Sequence, residues 1–510
     1  MVESALAAAA LALVYLIVAP YSADLAAQVY RTNLFREAGF TVWNGQWFGG
    51  HHTPGYSVLF PPLASIAGPR LVGALSAVAS AVLFERLATA RWGSQARVGA
   101  IWFGLATATN LFTGRLTFGL GVALGLGALL AVQRGRAVPA AALAILTSLG
   151  SPVAGLLLAM AGVADGLANR RRLSLVVAAA AFGAAGALAV AFPEGGHQPF
   201  PMSTFWPTVL VAVPFVLFVP RENRALRWGA VLYALSCTAS MYIDTPMGAN
   251  VTRVGTQFAG PLLACVLWPH RRKLLAVLAL PLLYWQWMAP YRDVNKAIDD
   301  PSVEASFHAP LNAYLRSVHP TGRIEIPSLK NHWETVHVAP HFQLARGWER
   351  QLDIKYNDVF YIHEPILYAA DYRAWLRSTG VEYVAVAYAP LDHAAEGEAK
   401  LIAHGLPYLQ PVWSNRNWHV YRFRDAAPMA TGGARVVELG PTSFTLRADA
   451  AGVTDVRVRY TPYWQLESGS GCVQEGPGGF TRVRLKRPGT VRVATDFSLL
   501  RVVDRGPRCR

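Results

Sequence analysis

Charge is scarce in this 510-residue chain: Asp, Glu, Lys and Arg make up 15% of it, against 53% hydrophobic residues. A composition so short of charge excludes an ordinary water-soluble globule of this length. Cysteine is scarcer still, four in all. With no CxxC and no pair at metal-site spacing, a zinc or iron–sulfur framework is excluded. Walker A, GxGxxG, HExxH and GxSxG signatures are missing from any supporting context, which disfavours a nucleotide-driven pump and a soluble-type hydrolase. The opening apolar run, 4–20, has no basic flank and no small-residue cleavage site, so it reads as a retained helix.

What is present is a series of apolar runs of membrane length that recur to residue 290 and then stop. The formal charge of +15 suggests nucleic acid at first sight, but its placement argues otherwise. Fourteen basic residues fall in five short clusters: Arg86/Arg91/Arg97, Arg134/Arg136, Arg170–Arg172, Arg221/Arg224/Arg227 and Arg271/Arg272/Lys273. The alternate loops hold only Arg31, Arg36, Arg70, Arg115 and Arg253. This is the positive-inside pattern, and no nucleic-acid partner is expected. It counts about eleven transmembrane helices, at 4–20, 69–88, 97–111, 116–133, 137–149, 153–168, 173–192, 205–219, 226–242, 255–269 and 273–290. The stretch 137–168 must cross twice, turning at Leu149–Pro152, because both its ends carry cytoplasmic arginines. The expected topology is a multi-pass plasma-membrane protein with a cytoplasmic N-terminus, its first long loop and everything after residue 290 lying outside. Abundant Ala, Gly and Val, with Arg far outnumbering Lys, suit a high-GC bacterial genome.

Three domains are expected: a polytopic all-α membrane domain, 1–290, with a long first outer loop at 21–62; a small extracytoplasmic α/β module, 291–425; and a β-sandwich-like domain, 433–510. In the module, 323–328, 383–388 and 418–423 read as strands, and 371–380 and 395–405 as helices. After the small-residue linker 426–432, period-2 alternation between Gly/Pro turns marks the sandwich, which either binds carbohydrate or packs on its parent domain. Cys237 and Cys265 fall in membrane helices and read as inert. Cys472 and Cys509 lie in the outer tail, where a disulfide is permitted.

The first loop carries the densest chemistry. Asp24 follows the first helix: either an interfacial charge or a general base for an acceptor hydroxyl. Arg115 and Arg253 sit where outer loops meet helices, either snorkelling or holding a lipid phosphate at headgroup depth. Asp244 and Asn250 share the second of these loops, and an Asp244–Arg253 pair is the simplest account of both. Arg31 with Trp43, Asn44, Trp47, His51, His52 and Tyr56 offers aromatic and hydrogen-bonding groups for a sugar, although aromatic belts occur at interfaces without ligands. Adjacent histidines rarely chelate one ion, so a divalent metal is disfavoured and no cofactor is called. Segment 331–357, with His332, Glu334 and Arg346, is dense in Trp, His and charge and reads as an acceptor-site lid or a packing surface.

This pattern resembles the GT-C superfamily of integral membrane glycosyltransferases: an Asp after helix 1 in a long outer loop, about eleven helices, then an extracytoplasmic C-terminal region. The segment GGHHTPGYSVLFPPL is also similar to a re-entry seen in GT-C-like bacterial membrane proteins, including those of the YfhO type and those named for a 6-pyruvoyl-tetrahydropterin-synthase-related region. The resemblance implies transfer of a sugar from a polyprenyl-phosphate donor to a cell-envelope glycan or lipid acceptor at the outer face of the bilayer, with Asp24 in the role of the family's first-loop base. The chain departs from better-known members in lacking a DE, DD or DxD pair in that loop. The alternative class is a non-catalytic GT-C-like flippase, transporter or envelope-assembly accessory protein.

Overall fold

The computed structural model describes residues 2–268, 270–506 and 509. The chain divides into two compact units. The first comprises Met1–Arg36, Gly55–Ala189 and Gly195–Ile298; the second comprises Glu37–Pro54, Val190–Glu194 and Asp299–Arg510.

The first unit is helical: α1 Glu3–Val18, α2 Ala23–Ala38, α3 Phe60–Ala67, α4 Pro69–Trp92, α5 Arg97–Phe112, α6 Leu116–Gln133, α7 Ala137–Gly150, α8 Pro152–Asn169, α9 Arg172–Ala191, α10 Met202–Leu210, α11 Ala212–Phe218, α12 Arg224–Tyr242, α13 Thr252–Leu267 and α14 Arg272–Ala297. Small residues let these helices approach closely. A Cβ added at Gly104 of α5 would meet the Ser4 carbonyl oxygen of α1 at 2.4 Å, while the Ser4 hydroxyl donates to the Ala100 carbonyl at 2.7 Å. The break between α7 and α8 falls at the expected turn: the Ser151 side chain caps the Ala154 N–H, and Pro152 occupies the first helical turn, where its missing donor costs nothing.

Among the described residues, five helical segments are long and apolar enough to cross a membrane: Pro69–Phe112, Leu116–Gln133, Pro152–Asn169, Arg172–Ala191 and Arg272–Ala297. The pair α1–α2, bent by 77°, makes a sixth if taken as one broken span. Length and composition therefore support a membrane protein but do not reach eleven crossings. The 14-residue α7 rises only about 21 Å at 1.5 Å per residue, short of a hydrocarbon core of about 30 Å. A second correction concerns the first loop. Its first half is a helix, α2, and residues 37–54 belong to the second unit.

The second unit also joins what the sequence divides into two domains, and its C-terminal stretch begins at Asp299 rather than 291. Its strands are β1 Trp43–Asn44, β2 His51–His52, β3 Arg323–Glu325, β4 Val381–Ala387, β5 Leu409–Ser414, β6 Trp418–Phe423, β7 Ala434–Leu439, β8 Ser443–Ala448, β9 Gly452–Arg459, β10 Trp464–Ser468, β11 Gly471–Glu475, β12 Phe480–Leu485 and β13 Gly489–Thr495. Its helices are α15 Ala305–Val318, α16 Glu334–His337, α17 Arg350–Tyr356, α18 Ala369–Thr379, α19 His393–Ala403 and α20 Leu499–Val503. A mixed sheet in the order β3-β4-β6-β5, parallel only between β3 and β4, forms the α/β part. The expected strand at 323–328 is cut to three residues. β1, β2, β5, β10 and β11 are strands the alternation pattern does not mark.

The remaining strands form two antiparallel sheets, β10-β13-β8-β7 and β11-β12-β9. Alternate residues such as Val456, Val458, Val483, Val491 and Val493 turn inward and are buried, as a two-sheet packing requires. Cys472 on β11 is disulfide-bonded to Cys509, with Cα atoms 5.1 Å apart. Cys237 and Cys265 are free and buried.

Candidate functional site

In the first unit, residues far apart in sequence converge around Asp24. Asp24 lies in the first turn of α2, where a carboxylate suits the helix dipole. Arg115 caps the start of α6, and its Nε donates to Asp24 Oδ2 at 3.2 Å. Gly114 makes this pair possible. Its φ is +78°, and an added Cβ would lie 2.4 Å from the Leu25 nitrogen and 2.5 Å from Ser22 Oγ. Only a glycine lets the α5–α6 turn press its backbone against the start of α2. Both partners are part-exposed, Arg115 at 28% and Asp24 at 25%.

Three further groups surround the pair. Arg253, in the first turn of α13, donates from Nη2 to Asn250 Oδ1 at 2.6 Å and lies 5.3 Å from the centre of the Phe118 ring. Arg253 is within electrostatic reach of Asp24, Arg115 and Tyr56. Tyr56 accepts a hydrogen bond from Gln28 Nε2 at 2.7 Å, and the Arg31 guanidinium covers its ring at 3.8 Å. Helices α2, α6 and α13 therefore all begin at this cluster, and helix N-termini favour negative ligands.

The residue that the sequence reading missed is Asp293. On α14, Gln286, Pro290 and Asp293 follow the i, i+4, i+7 spacing of one face. Gln286 fixes the level of that face: it accepts from Trp102 Nε1 at 2.9 Å and donates to the Thr256 carbonyl of α13 at 2.7 Å. At 1.5 Å per residue, Asp293 lies roughly 10 Å beyond Gln286, and Arg253 lies about 4.5 Å beyond Thr256 in the same sense, because the two helices run antiparallel. Asp293 is half-buried, interacts electrostatically with Arg115 and Asp24, and takes no part in an ion pair among the described residues. A second carboxylate thus stands within electrostatic reach of Asp24 and Arg115, on the last helix of the unit.

One wall of an apolar cavity of about 610 Å³ is made by Met247 and Val251, the segment leading into Arg253, and the rest by side chains such as Leu157, Met160, Val163 and Phe182. The expected Asp244–Arg253 pair does not form. Asp244 instead pairs with His197 at 2.9 Å, and Arg253 takes the nearer Asn250.

The other expected site residues belong to the second unit and are packed inside it. Trp43, Asn44, Trp47 and His51 are at most 2% exposed, and His52 is 7% exposed. Trp43 meets Trp464 edge-on at 5.7 Å, and Trp47 stacks on His51 at 5.4 Å. His52 pairs with Glu194 at 2.7 Å and with Thr461 Oγ1 at 2.9 Å. With ring faces covered by protein, these side chains form core rather than a sugar-stacking platform. The physical reason is that an aromatic-rich loop buries more apolar area by closing into a core than by lining an open surface.

Segment 331–357 is likewise packing rather than a lid. Arg346 forks onto Asp353 at 2.6 Å and reaches Glu398 at 3.3 Å, and all three are buried. Asn357 and Tyr361 donate to Asp353, Tyr372 donates to Glu398, and the buried Glu325 lies within electrostatic reach of Glu398, Arg346 and Asp353. Burial pushes the Glu398 carboxyl up to about 7, and burial beside Glu398 raises Glu325 further. His332 lies 3.5 Å from Glu334 and 3.7 Å from Asp392. Burial opposes its charge, but the two carboxylates outweigh that and raise it to about 9. Arg350 holds Asp392 from the other side at 2.6 Å.

Among the described residues, no group of three or more His, Cys, Asp or Glu side chains is arranged to hold a metal ion. No family model and no curated protein matches the chain.

Proposed function

We propose that this chain is a membrane glycosyltransferase that moves a sugar from a polyprenyl-phosphate donor to a cell-envelope glycan or lipid at the outer face of the plasma membrane. The observation that carries the reading is the part-exposed cluster of Asp24, Arg115, Arg253 and Asp293. Arg115 and Arg253 place two fixed guanidiniums at the starts of α6 and α13, facing the start of α2. A departing lipid phosphate calls for such fixed cations, which stabilise charge without reorganising.

In this reading Arg115 and Arg253 hold the phosphate. Arg115 spends only Nε on Asp24, so its Nη groups remain for phosphate oxygens. Asp24 keeps Oδ1 for the acceptor hydroxyl proton while Oδ2 is steadied by Arg115. Asp293 supplies the second acid that orients the acceptor. The hydroxyl oxygen bonds to the anomeric carbon, the carbon–phosphate oxygen bond breaks, and the proton passes to Asp24. Rate comes mainly from positioning and phosphate stabilisation. The cavity beside Met247 and Val251 suits the first isoprene units of a chain whose phosphate sits at Arg253. The same reading takes the N-terminus as cytoplasmic and the second unit as extracytoplasmic.

The test uses the full chain in nanodiscs with radiolabelled polyprenyl-phosphate sugars. Asp24→Asn is expected to abolish transfer, and Asp293→Asn to reduce it strongly, without loss of folded protein. Wild-type transfer in Asp24→Asn sinks the assignment. One observation favours a second reading, a non-catalytic flippase or assembly scaffold: the first-loop aromatics are filled core. That reading expects polyprenyl phosphate to bind while no sugar is transferred by the wild-type chain.

A further inference from the structure

The last apolar residues of the second unit are turned outward. On α20, Leu499, Leu500 and Val503 are 76%, 80% and 89% exposed, and Phe497 just before it is 42% exposed. A folded domain rarely leaves three large aliphatic side chains so open on five residues without something to cover them. Their position says what that is. The last two residues of α9, Val190 and Ala191, are part of this unit, and α9 is the most apolar of the five segments able to cross a membrane. Tyr463 donates to the Ala191 carbonyl at 2.7 Å, Arg505 donates to the Val190 carbonyl, and Phe497 packs its ring 5.7 Å from that of Phe192. The exposed patch is therefore tied to the point where a membrane helix ends. Val190 itself is 59% exposed and extends the apolar surface.

Charge agrees with this level. Arg501 and Arg505 flank the apolar side chains, and Asp504 is the one acid between Leu499 and Gly506. The disulfide to Cys472 pins the far end of the segment to β11. We infer that α20 is a foot that lies in the headgroup–acyl boundary of the leaflet where α9 ends, with Leu499, Leu500 and Val503 among the acyl chains and the arginines among lipid phosphates. Interfacial helices combine an apolar side with basic flanks in this way. The inference does not depend on the catalytic reading.

The full chain in nanodiscs carrying a phospholipid with a diazirine near its glycerol provides the test. After irradiation and digestion, the peptide holding residues 497–506 is expected to carry several-fold more lipid adduct than the peptide holding the exposed Val437 of β7. Leu499→Ser/Leu500→Ser/Val503→Ser is expected to remove that excess while the Cys472–Cys509 bond stays intact. Adduct no higher than at Val437 overturns the inference, as does equal labelling of the triple variant. So does protection of 499–503 by cross-linking to a second copy of the chain.

Discussion

The two units handle charge in opposite ways. In the second, Arg346, Asp353 and Glu398 are sealed, at most 3% exposed, and each donor meets an acceptor within the network. In the first, Asp24 and Arg115 meet through a single hydrogen bond, both part-exposed, beside a carboxylate that takes part in no ion pair among the described residues. A sealed network, closed to solvent and with its guanidinium committed to two carboxylates, acts as scaffold. A half-open, unsaturated one keeps bonding capacity. Density of charged residues in the sequence does not distinguish the two, and segment 331–357 is the denser.

Several experiments bear on this contrast. Arg346→Ala leaves Asp353 and Glu398 buried without their cation and is expected to cost about 3–5 kcal/mol in unfolding of the detergent-solubilised chain. A loss as small as that of an exposed pair would erase the distinction. Arg115→Gln should leave unfolding nearly unchanged yet lower transfer by about 10²- to 10³-fold, the usual consequence of removing one donor to a developing anion. Comparable losses of stability and activity would make the Asp24 cluster scaffold too.

The third test is pH. His332 is raised from 6.5 to about 9, so its contribution is complete below 6.5 and lost as pH rises through 9. Glu398 is raised from 4.5 to about 7, so its neutral form favours folding below 4.5 and that contribution is lost through 7. Both act in one direction: the second unit is expected to lose stability from pH 5 to 9.5, on the order of 3 kcal/mol from His332 alone. Unfolding followed by tyrosine and tryptophan fluorescence checks the slope, and His332→Gln should flatten its upper half. A flat profile would mean the network is more hydrated than its burial indicates. The smallest effect belongs to Asp244→Asn. Its carboxylate is 87% exposed, and the same measurement should move by no more than about 0.5 kcal/mol.

Much of the architecture was readable in the chain because its signals are local. Apolar runs and alternating basic clusters marked nearly every helix of the first unit, and the arginines at both ends of 137–168 required the turn at Leu149–Pro152 where α7 gives way to α8. Period-2 alternation marked five of the seven sandwich strands. Helix α2 was missed because its buried side carries Gln28, Arg31 and Thr32, so polar residues occupy the positions where a helix normally shows apolar ones. The first-loop aromatics were misread because tryptophan and histidine have the same composition in a core as at an interface.

Apolar helices long enough for a membrane, followed by a sheet-rich region, are written in short-range periodicity, and local pattern also singled out Asp24, Arg115 and Arg253. Which charges meet is set by the packing of the helices. The Asp24–Arg115 pair spans 91 residues and depends on the backbone contact at Gly114. Asp293 reaches it from a helix whose apolar run stops short of that residue. Such meetings depend on helix packing, which sets distances between residues that no local pattern relates.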